Sequence, residues 1–198
     1  MQSLVNLLKL KELHVKDDGR MKSPLILLEI FKEAPHLSSI SIYPSTLMAL
    51  LDNGELCQYF NKMITKLLFY HEKSDRSISF DKFERVWKVF NNVEQLRCDI
   101  DRLENVIELL NHLPKLSSLH ASSQTSFDEN TKLWLKDNLP DSDENFCAQV
   151  YGRTLNLWIS RHPTHLRSFE NPQSIDMYQN DNRGFIANFY RLFKRYLP

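Results

Sequence analysis

Apolar residues along this chain return in two alternating rhythms, a short strand-like stretch and a longer one at helical spacing. The short stretch follows a template, apolar-x-x-apolar-x-apolar. It appears as Leu10-x-x-Leu13-x-Val15, Leu37-x-x-Ile40-x-Ile42 and Ile64-x-x-Leu67-x-Phe69. It returns as Val93-x-x-Leu96-x-Cys98 and Leu116-x-x-Leu119-x-Ala121. The first positions, 10, 37, 64, 93 and 116, are separated by steps of 27, 27, 29 and 23 residues. The last part of each template alternates apolar with polar, which is the mark of a strand with one buried face.

Between these strands the spacing changes to that of helices. In "SPLILLEIFKEAP", Ser23 stands as an N-cap and Pro24 at the first helical position, with Leu27, Leu28, Phe31 and Ala34 on one face. Asp81 and Glu84 form a D-x-x-E capping pattern ahead of Phe83, Val86, Trp87 and Phe90. Asp101 and Glu104 repeat it ahead of Leu103, Val106, Ile107 and Leu110. "TLMALLDNGELCQYFNKM" is interrupted by Asn53-Gly54, a turn signal that predicts two short helices.

Strand–helix units recurring every 20–29 residues or so are the mark of leucine-rich repeats, whose units bury their apolar faces only by stacking on neighbours. The expected fold is therefore α/β: a leucine-rich-repeat solenoid of about five repeats over residues 1–123, a right-handed horseshoe with a parallel sheet. Beyond Ser123 the period is lost, and residues 124–198 are expected to form an irregular α+β cap. There Ser126 and Glu129 suggest another capped helix, "PDSDEN" a polar loop, and "AQVYGRTLNLWIS" one or two strands bent at Gly152. "FIANFYRLFKRYLP" reads as a final amphipathic helix with Phe185, Phe189, Leu192, Phe193 and Tyr196 on its apolar side. The first repeat begins almost at once, at Leu4, so an upstream segment or an oligomeric contact is expected to cover that end.

Composition narrows the function classes. The 25 basic and 25 acidic residues cancel, so no global field draws the chain to nucleic acid or an anionic membrane. Three widely spaced cysteines, Cys57, Cys98 and Cys147, form no CxxC or CxxH pair and suggest reduced thiols in a cytoplasmic or nuclear protein. The N-terminus lacks the features of a signal peptide, and no window is apolar enough to span a membrane. With four glycines, no Walker loop and no G-x-S-x-G elbow, neither a cofactor nor a catalytic residue is expected.

The stretch "FNNVEQLRCDIDRLENVIELLNHLPKLSSLHASS", followed by "RTLNLWISRH", resembles the degenerate leucine-rich-repeat region of F-box-like proteins in some invertebrates, bdelloid rotifers especially. The resemblance covers roughly residues 4–123 and weakens to about 162. It implies a non-catalytic protein-recognition module, the substrate-binding part of a ubiquitin-ligase receptor. Two departures matter. The asparagine that usually follows the template is replaced in that neighbourhood by Gly19, Pro44, Glu72 and Arg102, and no F-box is present. The ligase subunits would then be reached through a segment upstream of Met1. A structural or scaffold repeat protein with no ubiquitin role is the alternative.

Strand alternation nominates the contact residues, because side chains between the template positions point away from the helices. They are His14 and Lys16; Ser41 and Tyr43; Lys66, Leu68 and Tyr70; Gln95, Arg97 and Asp99; and Ser118 and His120, with Glu12, Ser39 and Ser122 beside them. Tyrosines and an arginine among mixed charges suit a protein partner on a concave face. Ordinary solvated strand residues would show the same pattern. His162 and His165 lack a third metal ligand, and Asp141, Asp143 and Glu144 lack calcium-loop spacing, so both groups read as surface loops. Arg191, Lys194 and Arg195 lie beside aromatics that suit docking of the last helix better than binding of RNA or lipid.

Overall fold

The computed structural model describes residues 7–16, 23–70, 83–139 and 146–159. A 3-10 turn, Leu7–Lys9, leads into β1 (Glu12–Val15) and α1 (Pro24–Glu33). There follow β2 (Ser39–Ile42), α2 (Pro44–Leu50), α3 (Gly54–Met63), β3 (Lys66–Phe69), α4 (Glu84–Val89) and β4 (Gln95–Ile100). The chain continues through α5 (Glu104–His112), β5 (Ser118–Ser123), α6 (Glu129–Asn138), β6 (Phe146–Tyr151) and β7 (Thr154–Ile159).

All seven strands share one sheet in the order β1-β2-β3-β4-β5-β7-β6. From β1 to β5 neighbours pair in parallel, with Glu12, Ser39, Lys66, Gln95 and Ser118 in one transverse row. Each entry is clamped on the unit before it. The Lys11 carbonyl accepts the amides of Ser38 and Ser39, Ser38 accepts those of Thr65 and Lys66, and Thr65 accepts those of Glu94 and Gln95. Glu94 in turn accepts the amides of Ser117 and Ser118. The helices between these strands lie side by side, α1 against α3, α3 against α4 and α4 against α5.

Beyond residue 123 the sheet changes direction. β7 pairs antiparallel with β5, and β6 pairs antiparallel with β7 at the edge. The two-residue connection Gly152–Arg153, with Gly152 at φ +56°, joins adjacent strands directly, which only antiparallel strands allow. The expected leucine-rich-repeat solenoid, a parallel horseshoe sheet followed by a separate irregular cap, is therefore corrected: the terminal strands belong to the same sheet. The chain is an α/β fold on a seven-stranded mixed sheet, and its core runs without a break from Leu10 to Leu157.

Every template residue named above is buried, from Leu10, Leu13 and Val15 to Leu116, Leu119 and Ala121. Leu27, Leu28, Phe31 and Ala34 of the first helical segment are buried with them, as are Phe83, Val86, Trp87 and Phe90 of the fourth. Asn53 begins α3 by accepting the Leu56 amide at 2.9 Å, so Asn53-Gly54 does separate two helices.

Capping follows other residues than those expected. Ser23 occupies the N-cap of α1 without a side-chain cap bond. At α5 the buried Asn105 reaches back, its Oδ1 accepting the amides of Asp101 (3.2 Å) and Arg102 (3.1 Å), and takes the role assigned to Asp101. On α5 itself Val106 and Leu109 are buried, while Leu103, Ile107 and Leu110 are only partly covered. At α6 the box is Asp128 with Thr131, not Ser126 with Glu129. Ser126 lies too far upstream, because the helix starts at Glu129. Asp81, the loop 140–145, His162 and His165, and the final amphipathic segment lie outside the described residues.

Candidate recognition face

Strand alternation divides the sheet into two faces. One carries Leu13, Val15, Ile40, Ile42, Leu67, Leu96, Leu119, Leu155 and Leu157 into the core. On the opposite face the pairing register aligns three transverse rows. The first is Glu12, Ser39, Lys66, Gln95, Ser118 and Trp158. The second is His14, Ser41, Leu68, Arg97, His120 and Asn156. Asp99, Ser122 and Thr154 continue beyond it, and Tyr43 and Tyr70 stand at the ends of β2 and β3.

These rows bring together most of the residues nominated from alternation, but they do not expose them equally. Gln95, Arg97 and Asp99 of β4 are exposed, as is Lys16. His14, Lys66, Leu68, Tyr43, Tyr70, Ser118 and His120 are half-buried. Ser41 is only 2% exposed, which removes it from the set that could touch a partner. Its hydroxyl instead bonds that of Tyr70.

Ser41 belongs to a chain of hydrogen bonds across three strands. Tyr70 Oη lies 2.8 Å from His14 Nδ1, and His14 Nε2 faces Glu12 Oε1 at 3.5 Å. Ser39 donates to the same carboxylate at 3.4 Å. The Tyr70 ring also packs on Tyr43, centroids 5.0 Å apart. Burial pushes the Tyr70 phenol up to about 12, despite the Ser41 bond that opposes it. Burial also lowers the His14 imidazole, with Glu12 opposing and Lys16 and Lys66 adding to the shift. A neutral His14 with its Nε2 proton toward Glu12 leaves Nδ1 to accept from Tyr70, while Ser41 donates to the Tyr70 oxygen.

This arrangement is built to hold side chains still. The Tyr70 phenol keeps its proton, and it stands between Ser41 and the imidazole that would otherwise activate a hydroxyl. Cys98, on the core side, is raised by burial, and so is Cys57. A raised thiol is a poorer nucleophile at neutral pH. Among the described residues, no group of three His, Cys, Asp or Glu side chains is placed to hold a metal ion.

A second fixed point lies on the other half of the face. His120 Nδ1 meets Asn156 Oδ1 at 2.6 Å, across the antiparallel β5–β7 pair. Burial lowers the His120 imidazole, the Asn156 bond opposes, and the neighbouring Arg97 charge lowers it further. Asn156 and Trp158 were not among the nominated residues. Their alternation with Leu155 and Leu157 was visible, but nothing local said that β7 would lie beside β5.

Both histidines have lowered folded values, so the unfolded chain takes up their protons first as pH falls. Stability is therefore full above the ordinary value of 6.5 and declines as pH drops through it, until the folded imidazoles also titrate. Chemical denaturation between pH 8 and pH 5 (values chosen to bracket the ordinary histidine range) should show this fall. Replacing His14 and His120 together by Gln should flatten it, and an unchanged slope would place the titration elsewhere.

Comparison with known proteins adds little to this geometry. No protein-family model matches the chain. No curated protein matches it either. Among described helices, none is long and apolar enough to cross a membrane. A solved structure with partial similarity is a protein in the NADB-Rossmann superfamily from Streptococcus agalactiae. It is 11% identical, with 82% of this chain and 71% of that one covered, and the TM-score of 0.28 supports no functional conclusion.

Proposed function

We propose that this chain is a non-catalytic protein-recognition module that binds its partner on the face of the sheet opposite the helices, the open face among the described residues. The exposed Gln95, Arg97 and Asp99 of β4 form the centre of the contact, flanked by the Tyr43–Tyr70 pair and by His120. The observation that carries this reading is the sorting of the sheet: apolar residues go to the helix side, and polar and aromatic residues, with Leu68 among them, to the other. Bonds between neighbouring strands hold several of those side chains in fixed positions, which lowers the entropy lost when a partner docks. Arg and Tyr at such positions are common binding anchors.

The resemblance to F-box-like proteins supports a specific form of this reading, in which the face holds a substrate for a ubiquitin ligase. Other ligase subunits would be contacted by a segment outside the chain described here.

Affinity capture from the source cells with paired variants tests both levels. Arg97→Glu combined with Tyr43→Ala should reduce recovery of the specific partner by about tenfold or more, as expected for loss of anchor residues. Leu25→Glu, on the exposed side of α1, should leave recovery unchanged. If every protein captured by the wild type stays bound to the open-face variant, the face is not the binding surface. Ligase subunits missing from the wild-type complex would remove the ubiquitin form and leave a recognition or scaffold role.

A further inference from the structure

The two edges of the sheet are built differently. β1 at one end is four residues long, carries Glu12 and His14, and is flanked by Lys11 and Lys16. Charges and short length are the usual defences of an edge against unwanted pairing. β6 at the other end is six residues long, "FCAQVY", with no charge and no proline. Its register against β7 runs from Phe146 to Tyr151 without a bulge. No described strand pairs with its outer side.

The hydrogen-bond parity identifies which groups that edge presents. The amide of Ile159 donates to Ser117 and the carbonyl of Arg153 accepts from Ser123, so the odd-numbered residues of β7 bond toward β5. Thr154, Asn156 and Trp158 must then bond toward β6, where they face Tyr151, Gln149 and Cys147. The backbone amides and carbonyls of Phe146, Ala148 and Val150 consequently point outward. The side chains of these three lie on the helix side of the sheet, against the core but only partly covered. Among the described residues, four large apolar side chains are exposed; Tyr151 is one of them, at the end of β6, and Leu133 is another, on α6, the helix that packs on β6.

We propose that β6 is a homodimerisation edge, where a second copy of this chain adds its own β6 antiparallel about a two-fold axis through Ala148. That register opposes Ala148 to its own copy and Phe146 to Val150, an aromatic–β-branched pair of the kind that stabilises sheets. It satisfies the outward amides and carbonyls of all three residues, and it continues the apolar layer from one subunit to the other. A second copy fits better than a charged peptide because the edge offers no charge to be matched. The protected β1 edge stops further addition, so the pairing closes as a dimer instead of growing as a filament. A two-fold axis perpendicular to the sheet leaves both open faces on the same side, giving a bivalent recognition surface.

Edge pairing over six residues is a small interface, so the dimer should dissociate in the micromolar range, over about 1–100 μM. Sedimentation of the full chain should show the 23.4 kDa monomer passing to twice that mass across this range. Hydrogen exchange at Phe146, Ala148 and Val150 should slow as concentration rises. Ala148→Lys, which sets two ammonium groups face to face, should weaken the dimer by about tenfold or more. Ala148→Pro removes an amide that β7 does not use, and should abolish the dimer with β6 still paired to β7. His14→Lys on the opposite edge should leave the dimer intact. A monomer throughout, assembly beyond two copies, or a dimer indifferent to both Ala148 variants would each overturn the proposal. So would slow exchange of the three amides in the dilute monomer, which would mean that another part of this chain covers the edge.

Discussion

Phe60→Ala should destabilise the protein by about 3–5 kcal/mol, the range for removing a fully buried aromatic ring from a core. Phe60 is 0% exposed and lies at the centre of a column of rings. Phe31 from α1 meets it edge-on at 5.3 Å, and Phe90 at the end of α4 stacks on it at 5.1 Å. The column ties α1, α3 and α4 into one layer, so the loss is felt by three strand–helix units at once. Against a total stability of about 5–15 kcal/mol, such a loss removes a large share of it, and nearly all of it at the lower end of that range. Urea unfolding followed by tryptophan fluorescence measures it directly. Phe60→Leu should recover most of the difference, because it keeps the apolar volume. A cost below about 1 kcal/mol for the alanine variant would mean that the column is not packed as described.

Paired substitutions on β3 separate the two faces of the sheet. Leu67 and Leu68 are chemically identical neighbours, yet alternation turns one to the core and the other to the open face. Leu67 is 0% exposed between Ile40 and Leu96, so Leu67→Ala should cost about 2–5 kcal/mol. Leu68→Ala, on the half-buried open side between Ser41 and Arg97, should cost less than about 1 kcal/mol. The contrast also bears on function. If Leu68→Ala proved as damaging as Leu67→Ala, the face assigned to the partner would already be filled by the protein itself. If it were mild in stability but weakened partner capture, Leu68 would join Arg97 and Tyr43 as a contact.

The candidate face was partly legible in the sequence. Alternation along "ELHV", "KLLF" and "QLRCDI" assigned each residue to a side, and the template residues are buried as that pattern requires. Alternation carries no information about what covers a residue on its own side. Ser41 alternates outward like Arg97, yet Tyr70, 29 positions later in the chain, takes its hydroxyl. His14, expected as a contact residue, is half-buried, with its ring nitrogens held at Tyr70 and facing Glu12, a pairing that alternation does not reveal.

Helix starts show the same division. Asn53 caps the helix that begins immediately after it, a local interaction that composition could reveal. Asn105 sits inside α5 and caps the preceding turn from within, a role that the D-x-x-E pattern concealed. What the sequence by itself determined was periodic: which stretches are strands, which are helices, and which side of each is apolar. These follow from interactions within a few residues, repeated along the chain. The order and direction of the last two strands were decided only in the tertiary structure. "TLNLWI" is equally compatible with either direction and either neighbour, since a period of two looks the same read both ways. The tight turn at Gly152 pairs it antiparallel with β6, and its Leu155 and Leu157 find cover beside Leu119 and Ala121 of β5. That contact, between residues more than thirty positions apart, turned a parallel series into a mixed sheet and left "FCAQVY" at its edge.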